Sequence, residues 1–315
     1  MTVSVCMGIY NGENYIWEQL ESIRTQTRAP EEVILCDDGS TDGTRELVQK
    51  YLDEHAELAG WKLYCNEENR GYPANFYHAM RLCTKDIVFL ADQDDIWDTR
   101  KIERMSGIME QHEKISVLGC TFGLIGSDDE EIRTVMAPTT QRESGELREI
   151  SVEQVFYKCE WPGMVLAYRN AWCQRHMGEK ETDFAKGIPH DFLICAWAAE
   201  EKTFFQLEER LAWHRRHDNN AGGEEHRISR LLNKRRKLKE IEDYSRILGN
   251  FAQGDVMTTE RGKEALAQKQ KSMQGRYEAL QSGRIGKVIR NAWRYRKEVR
   301  LATVVCDVVI VRQNR

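Results

Sequence analysis

No stretch of the 315-residue sequence approaches the roughly 20 consecutive apolar residues that a membrane-spanning helix requires, which excludes a helical spanning protein. The first residues, Met-Thr-Val-Ser-Val, lack the basic and apolar regions of a secretory leader, so the chain is expected to work in the cytoplasm. None of the nine cysteines forms a Cys-x-x-Cys pair. Structural zinc is therefore set aside. Cys6, Cys36 and Cys195 lie inside apolar runs and read as reduced core thiols. Internal repeats and low-complexity tracts are absent. So is any RNA- or DNA-binding motif, which excludes a nucleic-acid partner.

What is present is an ordinary globular balance, with 41% hydrophobic and 31% charged residues. The length fits one large domain with an appendage. The net charge of −5 hides an asymmetry. Glu225–Arg315 holds 22 Lys and Arg against 10 Asp and Glu, a charge of +12, whereas the remainder carries −17. Two regions are expected: residues 1–222 and a basic helical region over residues 223–315.

Apolar β-branched runs alternate with helical periodicity. Strands are predicted at Thr2–Ile9, Glu32–Cys36, Trp61–Cys65, Ile87–Ala91, Ile115–Phe122 and Met164–Tyr168, and a strand or hairpin at Thr203–Leu211. Helices are predicted at Asn14–Gln26, around Leu47–Leu52, and at Pro73–Cys83, Arg100–Gln111, Asp191–Ala199 and Arg230–Leu248. Gly126–Gly145 reads as a loop or hairpin. This alternation predicts an α/β fold with a mostly parallel central sheet, covered by helices on both faces.

In such sheets ligands bind beyond the carboxyl ends of the strands. Three polar clusters fall there: Tyr10-Asn11-Gly12-Glu13, Asp37-Asp38-Gly39-Ser40 and Asp92-Gln93-Asp94-Asp95. Carboxylates this close repel one another unless a cation lies among them. Mn²⁺ or Mg²⁺ favours carboxylate oxygen and leaves positions for phosphate or water. The second and third clusters, each taken alone, also read as capping loops before a helix. Their order, spacing and strand context together point to a metal between acidic side chains and a diphosphate.

The stretches SVCMGIYNGENYIWEQLESIRTQT, EEVILCDDGSTDGT, NRGYPANF and VFLADQDDIWD resemble the family 2 glycosyltransferases of GT-A fold, with closest flavour to a bacterial rhamnosyltransferase-like branch. The resemblance covers about Val3–Gly222. It implies a GT-A, Rossmann-like sheet plus a C-terminal helical extension. It also implies that Tyr10, Glu13, Asp37 and Asp38 hold the base and ribose, Asp92 the sugar-nucleotide and Asp94 the metal. In GIPHDFLICAWAA, Asp191 corresponds to the catalytic base, although His190-Asp191 departs from the commoner Glu-Asp pair. In LAWHRRHDNNAGG, His217 corresponds to a metal-completing His, and Arg215 or Arg216 to a diphosphate-binding cation. His214 replaces the usual Tyr; an ordinary basic strand is the other reading. EWPGMVLAYRNAW resembles an acceptor-side segment, with Trp161 as a sugar platform or a core residue, and Gly163, Met164 and His190 beside the acceptor.

The activity implied is an inverting, metal-dependent hexosyl transfer in cell-surface polysaccharide synthesis. The donor would be a dTDP- or UDP-sugar, rhamnose included, and the acceptor a saccharide or lipid-linked saccharide. An inverting displacement needs a carboxylate to take the acceptor's proton, which is the role assigned to Asp191. The basic stretch Gly283–Arg315 interleaves cations with Ile285, Val288, Ile289 and Trp293. It reads as a peripheral contact with the inner face of the plasma membrane, as a solvated helical appendage or as a dimerisation arm. Two other classes stay open: a non-catalytic nucleotide-sugar scaffold and a nucleotidylyltransferase. The latter lacks its glycine-rich loop after the first strand.

Overall fold

The computed structural model describes residues 1–132, 143–158, 160–178, 187–217 and 232–313. The chain divides into two compact units: Met1–Ile150 with Glu160–Arg216, and Ser151–Cys159 with His217–Arg315. The boundary expected at residues 222–223, the start of the helix expected at Arg230 and much of the Gly126–Gly145 loop lie outside the described residues.

The first unit is built on one sheet. β1 (Val3–Ile9), β2 (Glu32–Asp37), β3 (Trp61–Cys65) and β4 (Ile87–Asp92) run parallel in the order β3-β2-β1-β4. β1, β2 and β4 are buried along almost their whole length, because helices cover both faces. The helices are α1 (Ile16–Arg24), α2 (Thr44–Glu54), α3 (Tyr72–Leu82) and α4 (Lys101–Gln111). α1 buries Ile16, Leu20 and Ile23, one face of a 3.6-residue period. Pro73 sits in the first turn of α3, where a missing N–H costs nothing.

Beyond β4 the sheet becomes mixed. β8 (Leu166–Arg169) is antiparallel to β4 and to β6 (Val117–Ile125), and β9 (Phe204–Arg215) runs parallel to β6. Two short strands, β5 (Ile96–Trp97) and β7 (Leu147–Glu149), pair antiparallel with β9. The sequence-based reading has neither, since strands of two and three residues carry no periodicity. The run expected as a strand from Met164 starts as a 3-10 turn, Gly163–Val165. α5 (Val152–Lys158), α6 (Asn170–Met177) and α7 (His190–Glu200) are the remaining α-helices among the described residues through 217.

Among the described residues, the second unit holds α5 with α8 (Lys234–Gln253), α9 (Glu260–Gln281), α10 (Ile285–Arg294) and α11 (Leu301–Gln313). Phe156, Ile241, Leu248, Phe251, Met273, Leu280 and Ile310 form its core. Asn233 and Thr259 cap α8 and α9, each accepting a backbone N–H at 3.0 Å. Arg276 donates twice to buried Asp307, at 2.7 and 2.9 Å. Among the described residues, no helix is long and apolar enough to cross a membrane. Six of the eight described cysteines are buried, and all eight are free thiols.

Candidate active site

Strand register brings the three acidic junctions to one edge. Ile9 of β1 pairs with Asp37 of β2, and Gly8 pairs with Asp92 of β4. β2 and β4 flank β1 on opposite sides, so the chain reverses its direction of travel across the sheet at β1. That is the crevice where open α/β sheets bind ligands. Gln93 bridges it: its Nε2 donates to the Tyr10 carbonyl at 2.9 Å, and its Oε1 accepts from the Tyr10 N–H at 2.8 Å. Gly12 lies under this side chain, and a Cβ there would meet Gln93 Oε1 at 2.5 Å.

The first two junctions are tightly self-bonded. Glu13 accepts from the Gly43 N–H at 2.8 Å, at the start of α2. Asp37 is buried; it accepts the Gly39 and Ser40 N–H groups at 3.1 Å and pairs with Arg45. Asp38 is also buried and accepts from Asn66 Nδ2, Arg70 N and Gly71 N at 2.8–2.9 Å. Asp37 and Asp38 thus shape the loops around the crevice. Tyr10, 46% exposed, is the open side chain of this group.

The third junction is electrostatically stressed. Asp92 is half-buried, and its carboxyl is pushed well above the usual range by burial and by the Asp95 and Asp94 charges. Asp95 is fully buried. One of its oxygens accepts from His214 Nδ1 and from the Arg215 N–H, both at 2.9 Å. Its other oxygen has no partner among the described residues. Burial opposes charge on His214, but Asp95 outweighs it and raises the imidazole's pKa.

Asp191 acts on this group through its charge. It lies in the first turn of α7, accepts the Phe192 N–H at 2.7 Å, and is near enough to Asp92 to raise its pKa. Burial lifts Asp191 to about 6, against the pull of the Phe192 and Gly163 N–H groups. A carboxylate near neutrality suits a general base. His190 beside it is buried and stacked on Phe76 with centroids 3.9 Å apart. Burial lowers its pKa to about 3, so the ring is neutral. A Cβ on Gly163 would come within 3.0 Å of His190 Nε2, which explains glycine at that position.

Several expected residues have other work. Arg215, expected on the diphosphate, is buried as an internal clamp. It donates to the Asp94 carbonyl at 2.9 Å, the Gly126 carbonyl at 3.2 Å, Glu18 at 2.7 Å and Asp129, with its guanidinium 4.7 Å from the Tyr15 ring centre. Arg216 is half-buried and close enough to His214 to lower its pKa. His217, half-buried, begins the second compact unit. Of the two readings of Trp161, sugar platform or core residue, the core position is the one observed: it is 6% exposed, with its N–H on Gln206 and its ring on Phe204. Met164 is buried, and its carbonyl accepts from Lys101.

Lys101 is the residue that motif reading missed. It is fully buried, and its ammonium lies 3.6 Å from the centre of the Trp97 ring, near enough to Asp95 and Asp92 for their charges to act on it. Lys101, Met105 and Met109 fall at four-residue spacing on the buried stripe of α4. A lysine on the apolar face of a helix was the available signal. Burial lowers its pKa to about 8, against those carboxylates. The folded state then binds fewer protons than the unfolded state between about pH 8 and 10. Wild type is therefore expected to gain up to ~3 kcal/mol relative to Lys101→Met across that range. Urea unfolding at several pH values checks this, and parallel curves for the two proteins would refute it.

Among the described residues, no three His, Cys, Asp or Glu side chains are grouped to hold a metal ion by themselves. That is compatible with Mg²⁺ or Mn²⁺, which bind through one or two carboxylates plus substrate phosphates. The raised pKa of Asp92 and the unpartnered oxygen of Asp95 mark an excess of negative charge that a cation would relieve.

Residues 4–172 match the family described as Glycosyl transferase family 2. The chain is 33% identical over 107 residues to WfgD of Escherichia coli, the UDP-Glc:alpha-D-GlcNAc-diphosphoundecaprenol beta-1,3-glucosyltransferase, covering 34% of this chain and 40% of that protein. Three curated relatives are matched over 46%, 66% and 40% of their own lengths. Residues 1–349 of TarS from S. aureus, solved with UDP, superpose with TM-score 0.61 at 17% identity, covering all of this chain and 92% of that one. The mannosyltransferase PcManGT of Pyrobaculum calidifontis, solved with GDP-Man and Mn²⁺, gives 0.53 at 18% identity, covering 99% and 86%. These two likenesses show the GT-A fold.

Proposed function

The chain belongs to glycosyl transferase family 2, and from that premise we propose an inverting transfer of a sugar from a nucleoside diphosphate-sugar to a saccharide or lipid-linked acceptor. One observation carries this reading: Asp191, a half-buried carboxylate lifted to about 6, lies in electrostatic contact with the acidic junction at the end of β4. Asp191 takes the proton of the acceptor hydroxyl as that oxygen attacks the anomeric carbon. The bond from that carbon to the diphosphate breaks, and the diphosphate leaves with the electron pair. Tyr10, Glu13, Asp37 and Asp38 shape the nucleotide end, Asp92 faces the sugar-nucleotide, and Asp94 would hold a divalent cation. That cation, when bound, supplies charge stabilisation to the departing diphosphate. Asp95 and His214 fix the β4 junction from beneath, and Arg216 stays with the diphosphate-binding role.

A dTDP- or UDP-sugar is the donor this reading favours, with rhamnose among the candidates. TarS with UDP supports the base class, PcManGT the cation, and WfgD the lipid-linked acceptor. The full chain should be melted with UDP-, GDP- and dTDP-sugars, with and without Mn²⁺. A donor at 100 times its Kd is expected to stabilise the fold by about 2.7 kcal/mol, with Mn²⁺ required. Failure of every sugar nucleotide to raise the melting temperature would contradict the donor class. Donor binding without turnover, unaffected by EDTA, would favour a nucleotide-sugar scaffold.

A further inference from the structure

The second unit holds a cavity of about 640 Å³ between α9 and α10, with Ser245 of α8 at its edge. Four cations line it: Lys271, Lys287, Arg290 and Arg294. All four are exposed, and none pairs with a carboxylate among the described residues. Glu278, the one acidic residue in the wall, accepts from Gln274 at 2.7 Å. The backbones are held close: Asn291 of α10 donates to the Ser272 carbonyl of α9 at 3.3 Å. A Cβ on Gly275 would strike Asn291 Oδ1 at 2.2 Å.

The same helix has a second unusual face. Ile289 and Trp293, one turn apart, are 55% and 73% exposed. Val288, between the two faces, is buried beside Val304 of α11. From Arg284 to Lys297 the chain carries six exposed cations and no acid. A soluble phosphate would use the cations and leave Ile289 and Trp293 unexplained. A symmetric contact with a second copy would set six positive charges against six. An anionic lipid surface uses both features, with apolar side chains entering the acyl boundary and cations among the headgroup phosphates.

We propose that the α9–α10 cavity binds the phosphate of an anionic lipid headgroup while Ile289 and Trp293 enter the lipid layer. The second unit is then a membrane-surface docking module. This inference rests on residues of that unit alone and stands whether or not the first unit transfers sugar.

Flotation of the full chain with phosphatidylcholine vesicles, with and without a phosphatidylglycerol fraction, tests it. The chain is expected to float with the anionic vesicles only and to be released by salt. At ~1 kcal/mol per cation, Arg290→Ala with Arg294→Ala should lower the partition coefficient roughly 25-fold. Ile289→Ser with Trp293→Ser should weaken binding at every salt concentration, and Arg290→Lys with Arg294→Lys should retain it. All these positions are exposed, so unchanged melting temperatures confirm that each variant is folded. Equal flotation with neutral vesicles, or none with either, would overturn the proposal. So would inorganic pyrophosphate raising the melting temperature through Arg290 and Arg294 without flotation. A dimer that Ile289→Ser with Trp293→Ser dissociates, again without flotation, would overturn it in favour of a second copy.

Discussion

Replacing Asp191 by Asn should remove nearly all sugar transfer and at the same time stabilise the protein. The loss follows from the role: a positioned base contributes roughly 10²–10⁴-fold, and Asn cannot accept the acceptor's proton. The gain follows from burial. Asp191 titrates at about 6 in the folded chain, above its ordinary 3.8, so the folded state holds a proton that the unfolded state has already lost. Wild-type stability therefore falls as pH rises from about 4 to 6, and the full penalty persists above that range. Asn carries no charge to desolvate, keeps an oxygen to accept the Phe192 N–H, and should gain about 1–3 kcal/mol near pH 8. The wild-type rate should also fall below pH 6 as the base protonates. Transfer assays paired with denaturant unfolding check both halves. A variant that is inactive but no more stable would mean that the carboxylate is not burdened by burial, while a variant with ordinary turnover would remove Asp191 from the chemistry.

The second large effect belongs to Arg215, where sequence and structure assign different work. A diphosphate-binding arginine would be dispensable to the fold, and its loss would weaken donor binding alone. The buried clamp predicts the reverse. Arg215→Leu strips donors from the Asp94 and Gly126 carbonyls and leaves Glu18 and Asp129 without their partner. Glu18 and Asp129 reach solvent, which moderates the cost, so about 2–4 kcal/mol of destabilisation is expected. Arg215→Lys should recover little, because one ammonium cannot replace a planar fork with four acceptors around it. Urea midpoints for both variants measure this. Unchanged midpoints with a raised donor KM would return Arg215 to the diphosphate.

β1, β2 and β4 were legible because they are buried on both faces and read as nearly unbroken apolar runs, each ending in a turn cluster. The Trp61–Cys65 strand was legible to the residue. β5 and β7 were not, since each is defined by pairing with β9 and carries no pattern of its own. α5 was illegible as part of the second unit for a related reason: its partners lie some hundred residues onward, as with Glu153 and Arg261. At the site, chemistry-bearing residue types pointed to the right edge of the sheet. Their division of labour was hidden. Asp37 and Asp38 look alike in sequence, yet each spends its oxygens on different loop N–H groups. Trp161 looks like a sugar platform until Gln206, contributed by β9, takes its N–H. Lys101 is invisible to a motif and conspicuous only as a charge on an apolar helical stripe.

On the proposed function, the carboxyl ends of β1, β2 and β4 form a cation-dependent site for a sugar nucleotide's diphosphate. Crystals soaked with Mn²⁺ and a nucleoside diphosphate, measured for manganese anomalous scattering, address it directly. The account predicts one strong peak against the Asp94 carboxylate, with the diphosphate on the peak's far side and the base near Tyr10. A peak elsewhere, or a nucleotide bound with Asp92 and Asp94 turned away from it, would contradict the claim.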